Sequence, residues 1–192
     1  MKIAILGGSG KLGRGLIARL SAHEVKIGSR DSAKGIPYAE AAAWCEIAIH
    51  ATPYATHQAL LVSIKNELMG KILIDTTVPL DPADPTQIRT ATGLSAAEEA
   101  AQIVPDAHVF AAFQTISHRT LMQPDASADV LVAGGPDGKE AVIELIRSMK
   151  LRPIHAGPLR IAGLIERVTT LLISINKTNK VRESSIRIEG IP

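Results

Sequence analysis

The chain is poor in several residue types, and each shortage excludes something. Aromatic residues make up only 3% of the 192 residues, although 46% are hydrophobic. The core must therefore be aliphatic, built from Ala, Ile, Leu and Val, as suits buried parallel strands. A single cysteine, Cys45, rules out an internal disulfide and points to a reducing compartment. It is expected to be a small buried residue rather than a reactive one. No apolar run approaches the roughly 18–20 residues needed to span a membrane. The run Lys2–Leu6 ends at Gly7, too short for a secretory signal, so a cytoplasmic protein is expected. A net charge of +2 is too small to argue for nucleic acid.

The hydrophobic pattern that remains is regular. Short apolar runs at Lys2–Leu6, Glu24–Ile27, Glu46–Ala51, Lys71–Asp75 and His108–Ala112 read as strands. Helical patterns alternate with them: a first helix through about Ala22, then Tyr38–Cys45, Ala55–Leu68 and Ser95–Ile103. The last opens with Ser95-x-x-Glu98, a capping-box spacing. Residues Gln114–Ser127 read as irregular. Beyond them come a strand at Asp129–Ala133, a helix at Lys139–Met149, a strand at Arg152–His155 and an apolar helix from Ile161 to about Asn176. The alternation predicts an α/β protein with a doubly wound parallel sheet, the Rossmann fold. The expected division is 1–112 for nucleotide binding and 113–192 for a smaller C-terminal portion, unless the later strands simply extend the same sheet.

The turn after the first strand is Gly7-Gly8-Ser9-Gly10-Lys11-Leu12-Gly13. Its Gly8-x-Gly10-x-x-Gly13 spacing, between a strand and a helix, is the context a dinucleotide fingerprint requires. Gly8 is expected to permit the tight turn, Gly10 to let the backbone approach a pyrophosphate, and Gly13 to let the helix pack closely. The helix N-terminus then offers N–H groups to the phosphates. The second strand ends in Gly28-Ser29-Arg30, where an NAD site would carry Asp or Glu. Ser29 can donate a hydrogen bond, and Arg30 and Lys34 can neutralise a 2′-phosphate, which favours NADP(H). The alternative is that both cations are solvated surface charges. Asp31 is expected to cap the following turn.

Several segments together resemble the NADPH-dependent coenzyme F420 reductases. The run Ile5–Leu16 with Gly28-Ser29-Arg30 carries the resemblance. So do Thr52-Pro53-Tyr54 with His57, Val78-Pro79-Leu80, Thr115-Ile116, and above all Leu151–Leu159 followed by Leu164-Ile165-Glu166. The resemblance implies a usually dimeric Rossmann protein that transfers a hydride between NADPH and F420. It assigns Ser9, Gly10, Lys11 and Leu12 to the pyrophosphate. It assigns Ser29, Arg30 and Lys34 to the 2′-phosphate, and Pro53, His57 and Val78 to the route of the nicotinamide half. The chain departs from the family at Gln114, Ser117 and Thr178–Ile188, and in lacking an insertion after the second strand.

Hydride transfer to a flavin-like ring needs little acid–base help, which fits a chain without a triad or metal-ligand spacing. His118 and Arg119 are candidates to bind or polarise the acceptor; the alternative is a solvated loop pair. Glu166 is open between pairing with Arg160 or Arg167 and touching the acceptor. The apolar helix after Ile161 must be buried in its own core or against a second copy, so a homodimer is expected. Three functions remain open: an NADPH:F420 reductase; a reductase of another small acceptor such as a carbonyl, an imine or a ferric-flavin system; and a non-catalytic NADP(H) redox sensor.

Overall fold

The computed structural model describes residues 1–191. Seven strands form one sheet in the order β2-β1-β3-β4-β5-β6-β7. They are β1 (Lys2–Leu6), β2 (Glu24–Gly28), β3 (Ile47–His50), β4 (Ile72–Asp75), β5 (His108–Ala111), β6 (Asp129–Gly134) and β7 (Arg152–Gly157). Helices α1 (Lys11–Ala18), α2 (Tyr38–Trp44), α3 (Tyr54–Ser63), α4 (Ala96–Ile103), α5 (His118–Met122), α6 (Lys139–Ser148) and α7 (Ala162–Asn179) connect them.

The apolar strands are central because both of their faces are covered. Every residue of β3 is buried, as are the last four of β1. One face packs Leu16, Leu121, Val142 and Leu145, from α1, α5 and α6, with Leu20 just beyond α1, against Ile3, Ile5, Ile49 and Phe110. The other packs Ala41, Leu60, Leu61 and Ala100, from α2, α3 and α4, against Ala4, Leu6, Ala48 and Leu73. Helices on both faces make the sheet doubly wound. The small side chains Ala97, Ala111, Ala133 and Ala162 form a separate seam that draws α7 close to the sheet.

Strands β1 to β5 pair in parallel, but β6 joins β5 antiparallel, through Phe110↔Gly134 and Ala111↔Ala133. The later strands thus extend the same sheet. This reversal brings the N-terminal ends of β6 and β7 to the edge where β1 to β5 end. The helix expected over Ala55–Leu68 stops at Ser63, and a 3-10 turn at Asn66–Leu68 follows. The segment after β5, expected to be irregular, contains α5. Its N-cap Ser117 accepts a hydrogen bond from the Thr120 amide at 3.0 Å. Its C-terminal carbonyls are held by the buried guanidinium of Arg19, which donates to Leu121, Thr120, Gln123, Ala126 and Met149. A long-range anchor of that kind leaves no local sequence pattern. The Ser95–Glu98 capping box forms as expected.

Candidate nucleotide crevice and the polar cluster beneath it

The glycine turn joins β1 to α1 at the C-terminal edge of the sheet. Gly7, not Gly8, takes the left-handed backbone, with φ 93°. The tight turn therefore begins one residue earlier than the fingerprint suggests. Gly8 is squeezed instead between Ile27 and Ile17, where a Cβ would meet carbon atoms at 3.0 and 3.2 Å. At Gly13 a Cβ would lie 2.5 Å from the Gly8 Cα, so only glycine lets the helix seat on the turn. Gly10 is the N-cap of α1, and no side chain caps that end. The first-turn amides are left to a ligand or to water.

Two adjoining cavities open at this turn. The larger in apolar character, about 440 Å3, has Gly7, Ser9 and Gly10 on one wall and Thr52, Pro53 and Leu60 on another. The second, about 460 Å3, is lined by Ser9, Ser29, Arg30, Asp31, Lys34 and Tyr38. Ser9, Arg30 and Tyr38 belong to both, so the two are one crevice. Its cationic end is organised by Asp31. The Asp31 amide donates to Ser29 Oγ at 3.0 Å, and Asp31 Oδ1 accepts from the Ala33 amide, the expected turn cap. Lys34 Nζ lies 2.7 Å from Asp31 Oδ2, and its hydrogen bond holds the carboxyl below the usual aspartate range. Arg30 has no ion-pair partner among the described residues. The free guanidinium is thus the stronger anion ligand of the two cations.

Beneath the crevice lies a buried polar cluster. His50 ends β3 and Asp75 ends β4, and the two are register partners in the sheet. Both are 0% exposed. His50 Nδ1 is 3.0 Å from Thr77 Oγ1, and His50 Nε2 is 2.9 Å from Thr52 Oγ1. Asp75 Oδ1 accepts from the Thr77 amide at 2.7 Å. Asp75 Oδ2 accepts from His57 Nε2 at 2.6 Å. Burial pushes His50 down to about 4, leaving it neutral near pH 7. Burial alone would raise Asp75, but the His57 hydrogen bond, the nearby imidazole of His50 and the Thr77 amide carry it below the usual range. Asp75 is therefore a buried anion. The imidazole and carboxylate atoms of His50, His57 and Asp75 lie within 4.8 Å of one another. Their hydrogen bonds to each other and to the threonines account for the arrangement without a further group.

The structure gathers some of the expected site residues and separates others. Ser9, Gly10, Arg30 and Pro53 meet at the crevice, with Ser29 and Lys34 at its cationic end. Lys11 and Leu12 form the first turn of α1, and Leu12 also packs on the core. His57 is 1% exposed and lines a different cavity of about 410 Å3, with Tyr54, Thr92 and Glu99, on the other side of α3. Val78 is half-buried just beyond β4. His118 and Arg119 sit on α5, which packs on α1 away from the crevice; Arg119 lies 3.6 Å from Glu183 of the tail. Glu166 pairs with neither arginine proposed for it. It is 1% exposed and accepts from the Ala96 amide at 2.8 Å, at the start of α4. Burial pushes its carboxyl up to about 8. The sequence reading missed Thr52, Thr56, Tyr38, Asp75 and Thr77. The one available signal was that His50 and Asp75 close adjacent apolar strands.

Comparison with known proteins agrees with this geometry. Residues 2–79 match the family model described as NADP oxidoreductase, coenzyme F420-dependent. The chain is 36% identical, over 100% of both chains, to a Methanothermobacter marburgensis protein named F420-dependent NADP reductase. A protein of the same name from Methanocaldococcus jannaschii is 32% identical, over 100% of this chain and 99% of its own. The crystal structure of a candidate F420-dependent NADP reductase from Arthrobacter sp. FB24 superposes with a TM-score of 0.86 at 25% identity, covering 98% of this chain and 99% of its own.

Proposed function

The chain belongs to the F420-dependent NADP oxidoreductase family, and on that premise we propose that it transfers a hydride between NADP(H) and coenzyme F420. The observation that carries the nucleotide half is the crevice itself, where an uncapped helix start and an unpaired arginine face one cavity. The residues fit the group. Amides of Ser9, Lys11 and Leu12 take the pyrophosphate, while the Gly10 amide closes the turn on the Gly7 carbonyl at 3.0 Å and its bare Cα lets the phosphates approach. Arg30, with Ser29 and Lys34, holds the 2′-phosphate as charge-assisted hydrogen bonds do. Pro53 and Val78 flank the path of the nicotinamide half, and His57 supports that path from beneath. NADPH supplies the hydride; the protein supplies distance, orientation and exclusion of water.

In this reading residues 1–112 bind the nucleotide and residues 113–192 shape the acceptor side. Helix α7 is tied to the segment after β5, where Thr169 Oγ1 donates to the Gln114 carbonyl at 3.0 Å. Leu164 and Leu171 on α7 are 60% and 57% exposed, which suits burial in a homodimer. His118 and Arg119 line neither half of the crevice, and Arg119 lies 3.6 Å from Glu183, so they are left out of the acceptor side in this reading. No helix among the described residues is long and apolar enough to cross a membrane.

The test is anaerobic mixing of the protein with NADPH and F420. Loss of the F420 visible absorbance together with NADPH supports the assignment. NADPH oxidation with a carbonyl, an imine or a flavin and none with F420 replaces the acceptor. NADPH binding without turnover on any of these makes the protein a sensor.

A further inference from the structure

His50 has no role in the assignments above, yet it is the most completely buried titratable base next to the crevice. Its ring bridges two threonine hydroxyls. Each hydroxyl can give or take a hydrogen, so the ring tautomer decides the direction of both bonds. Two facts bias that choice. Asp75 Oδ2 lies 3.8 Å from Nδ1, and Asp75 is an anion. Among the described residues no carboxylate lies within ion-pair distance of Nε2, whose partner is the neutral Thr52 hydroxyl. A negative charge beside Nδ1 favours the proton on that nitrogen. Nδ1–H then donates to Thr77 Oγ1, and Nε2 accepts from the Thr52 hydroxyl.

The consequence falls on Thr52, which lines the crevice. Its proton is used by His50, so it can only accept from a ligand. Thr56 does not remove this capacity. Its hydroxyl has the Pro53 carbonyl at 2.9 Å as well as Thr52 Oγ1 at 3.1 Å, and Thr52 keeps a lone pair in either case. The side chain is also fixed in rotation. A Cβ on Gly7 would lie 2.7 Å from the Thr52 methyl, so that methyl is pressed against the phosphate turn.

We propose that His50 is a positioning residue, held by Asp75 in the Nδ1–H form so that Thr52 Oγ1 is presented to the nucleotide crevice as an acceptor for a ribose hydroxyl. The assignment rests on the crevice taking NADP(H). It divides the crevice by polarity. The turn amides and Arg30 are donors and take phosphate oxygens, whereas Thr52 would repel a phosphate oxygen and attracts a hydroxyl. A cofactor carrying both groups is thereby placed in one register.

Two measurements test this. A long-range proton–nitrogen NMR spectrum of the wild-type protein reads the His50 tautomer directly; Nδ1–H is expected, and Nε2–H overturns the proposal. The second is an NADPH titration of wild type, Thr52→Val, Thr52→Ser and His50→Leu, with the melting temperature of each recorded. Thr52→Val, nearly the same shape, should weaken NADPH about tenfold, the loss for one uncompensated hydrogen bond. Thr52→Ser should restore it to within about threefold, because the acceptor returns. His50→Leu should weaken binding in the wild-type background, and a double variant carrying Thr52→Val and His50→Leu should bind no more weakly than Thr52→Val alone. Unchanged binding by Thr52→Val, or losses that simply add, overturns the proposal without touching the NADP(H) assignment. Failure of the wild-type protein to bind NADPH overturns that assignment first. Thr52→Val stands alone as a test if His50→Leu does not fold.

Discussion

His57 Nε2 lies 2.6 Å from Asp75 Oδ2 with both side chains out of contact with water. A buried pair of this kind is costly to break, because removing one member leaves the other unmatched. Asp75→Asn should cost about 3–5 kcal/mol in urea unfolding. His57→Gln, which can still donate to the carboxylate, should cost less than half of that by the same reasoning. Equal losses would show that the pair contributes only by filling space.

His50 predicts how stability responds to acid. Its folded value of about 4 lies below the ordinary 6.5, so the unfolded chain binds the proton more readily. Stability is full above pH 6.5 and is lost as the pH falls toward 4. The shift corresponds to about 3 kcal/mol at most. Asp75 adds a loss of the same sign at lower pH, since its folded value is depressed. Urea midpoints between pH 7 and 4.5 should fall in wild type and flatten in His50→Gln. An equal slope in both would assign the acid sensitivity elsewhere.

Glu166 predicts the opposite sign. Its carboxyl is raised from 4.5 to about 8, so folding favours the protonated form. That contribution is complete below pH 4.5 and is lost as the pH rises through 8. Glu166→Gln keeps the acceptor for the Ala96 amide and has no charge to bury. It should unfold at a higher temperature than wild type at pH 8.5, and the gap should close toward pH 5. A gap that does not change with pH would mean that Glu166 is ionised in the folded protein.

Much of this was legible along the chain because it is local. The strand runs, the strand–glycine turn–helix and the Ser95–Glu98 box each depend on a few adjacent residues and form as read, and Ser29 and Arg30 after β2 line the crevice. What was not legible depends on residues far apart. The helix α5 rests on Arg19, about a hundred residues away. The antiparallel joining of β6 is set by packing, since a strand has the same pattern in either direction. The polar cluster needs the register of β3 against β4 before His50 and Asp75 become neighbours.

In the proposed function Arg30 is the residue that discriminates between NADPH and NADH. It lines both halves of the crevice and has no ion-pair partner among the described residues, whereas Lys34 already lies against Asp31. Arg30→Ala should weaken NADPH about 10–100-fold, the range for hydrogen bonds to a charged group, and leave NADH within about threefold. Lys34→Ala should have the smaller effect, since its exposed pairing with Asp31 is worth little and competes with the phosphate. Equal weakening of NADPH and NADH by Arg30→Ala would remove the 2′-phosphate from this end of the crevice, as direct titration would show.

Two glycines of the turn separate folding from binding. A Cβ at Gly13 would lie 2.5 Å from the Gly8 Cα and 2.7 Å from the Gly7 carbonyl oxygen, all backbone that cannot move aside. Gly13→Ala must therefore push α1 off the turn. Overpacking of this kind costs about 1–3 kcal/mol, so the melting temperature and NADPH affinity should fall together. A Cβ at Gly10 meets only the Gly7 oxygen, at 3.3 Å. Gly10 also has φ −72°, which any residue adopts. Gly10→Ala should keep the melting temperature within a few degrees while NADPH affinity drops at least tenfold, because the methyl stands where the pyrophosphate must approach. If Gly10→Ala binds NADPH as wild type does, the phosphates do not lie over this helix start, and the crevice must hold its nucleotide in another orientation.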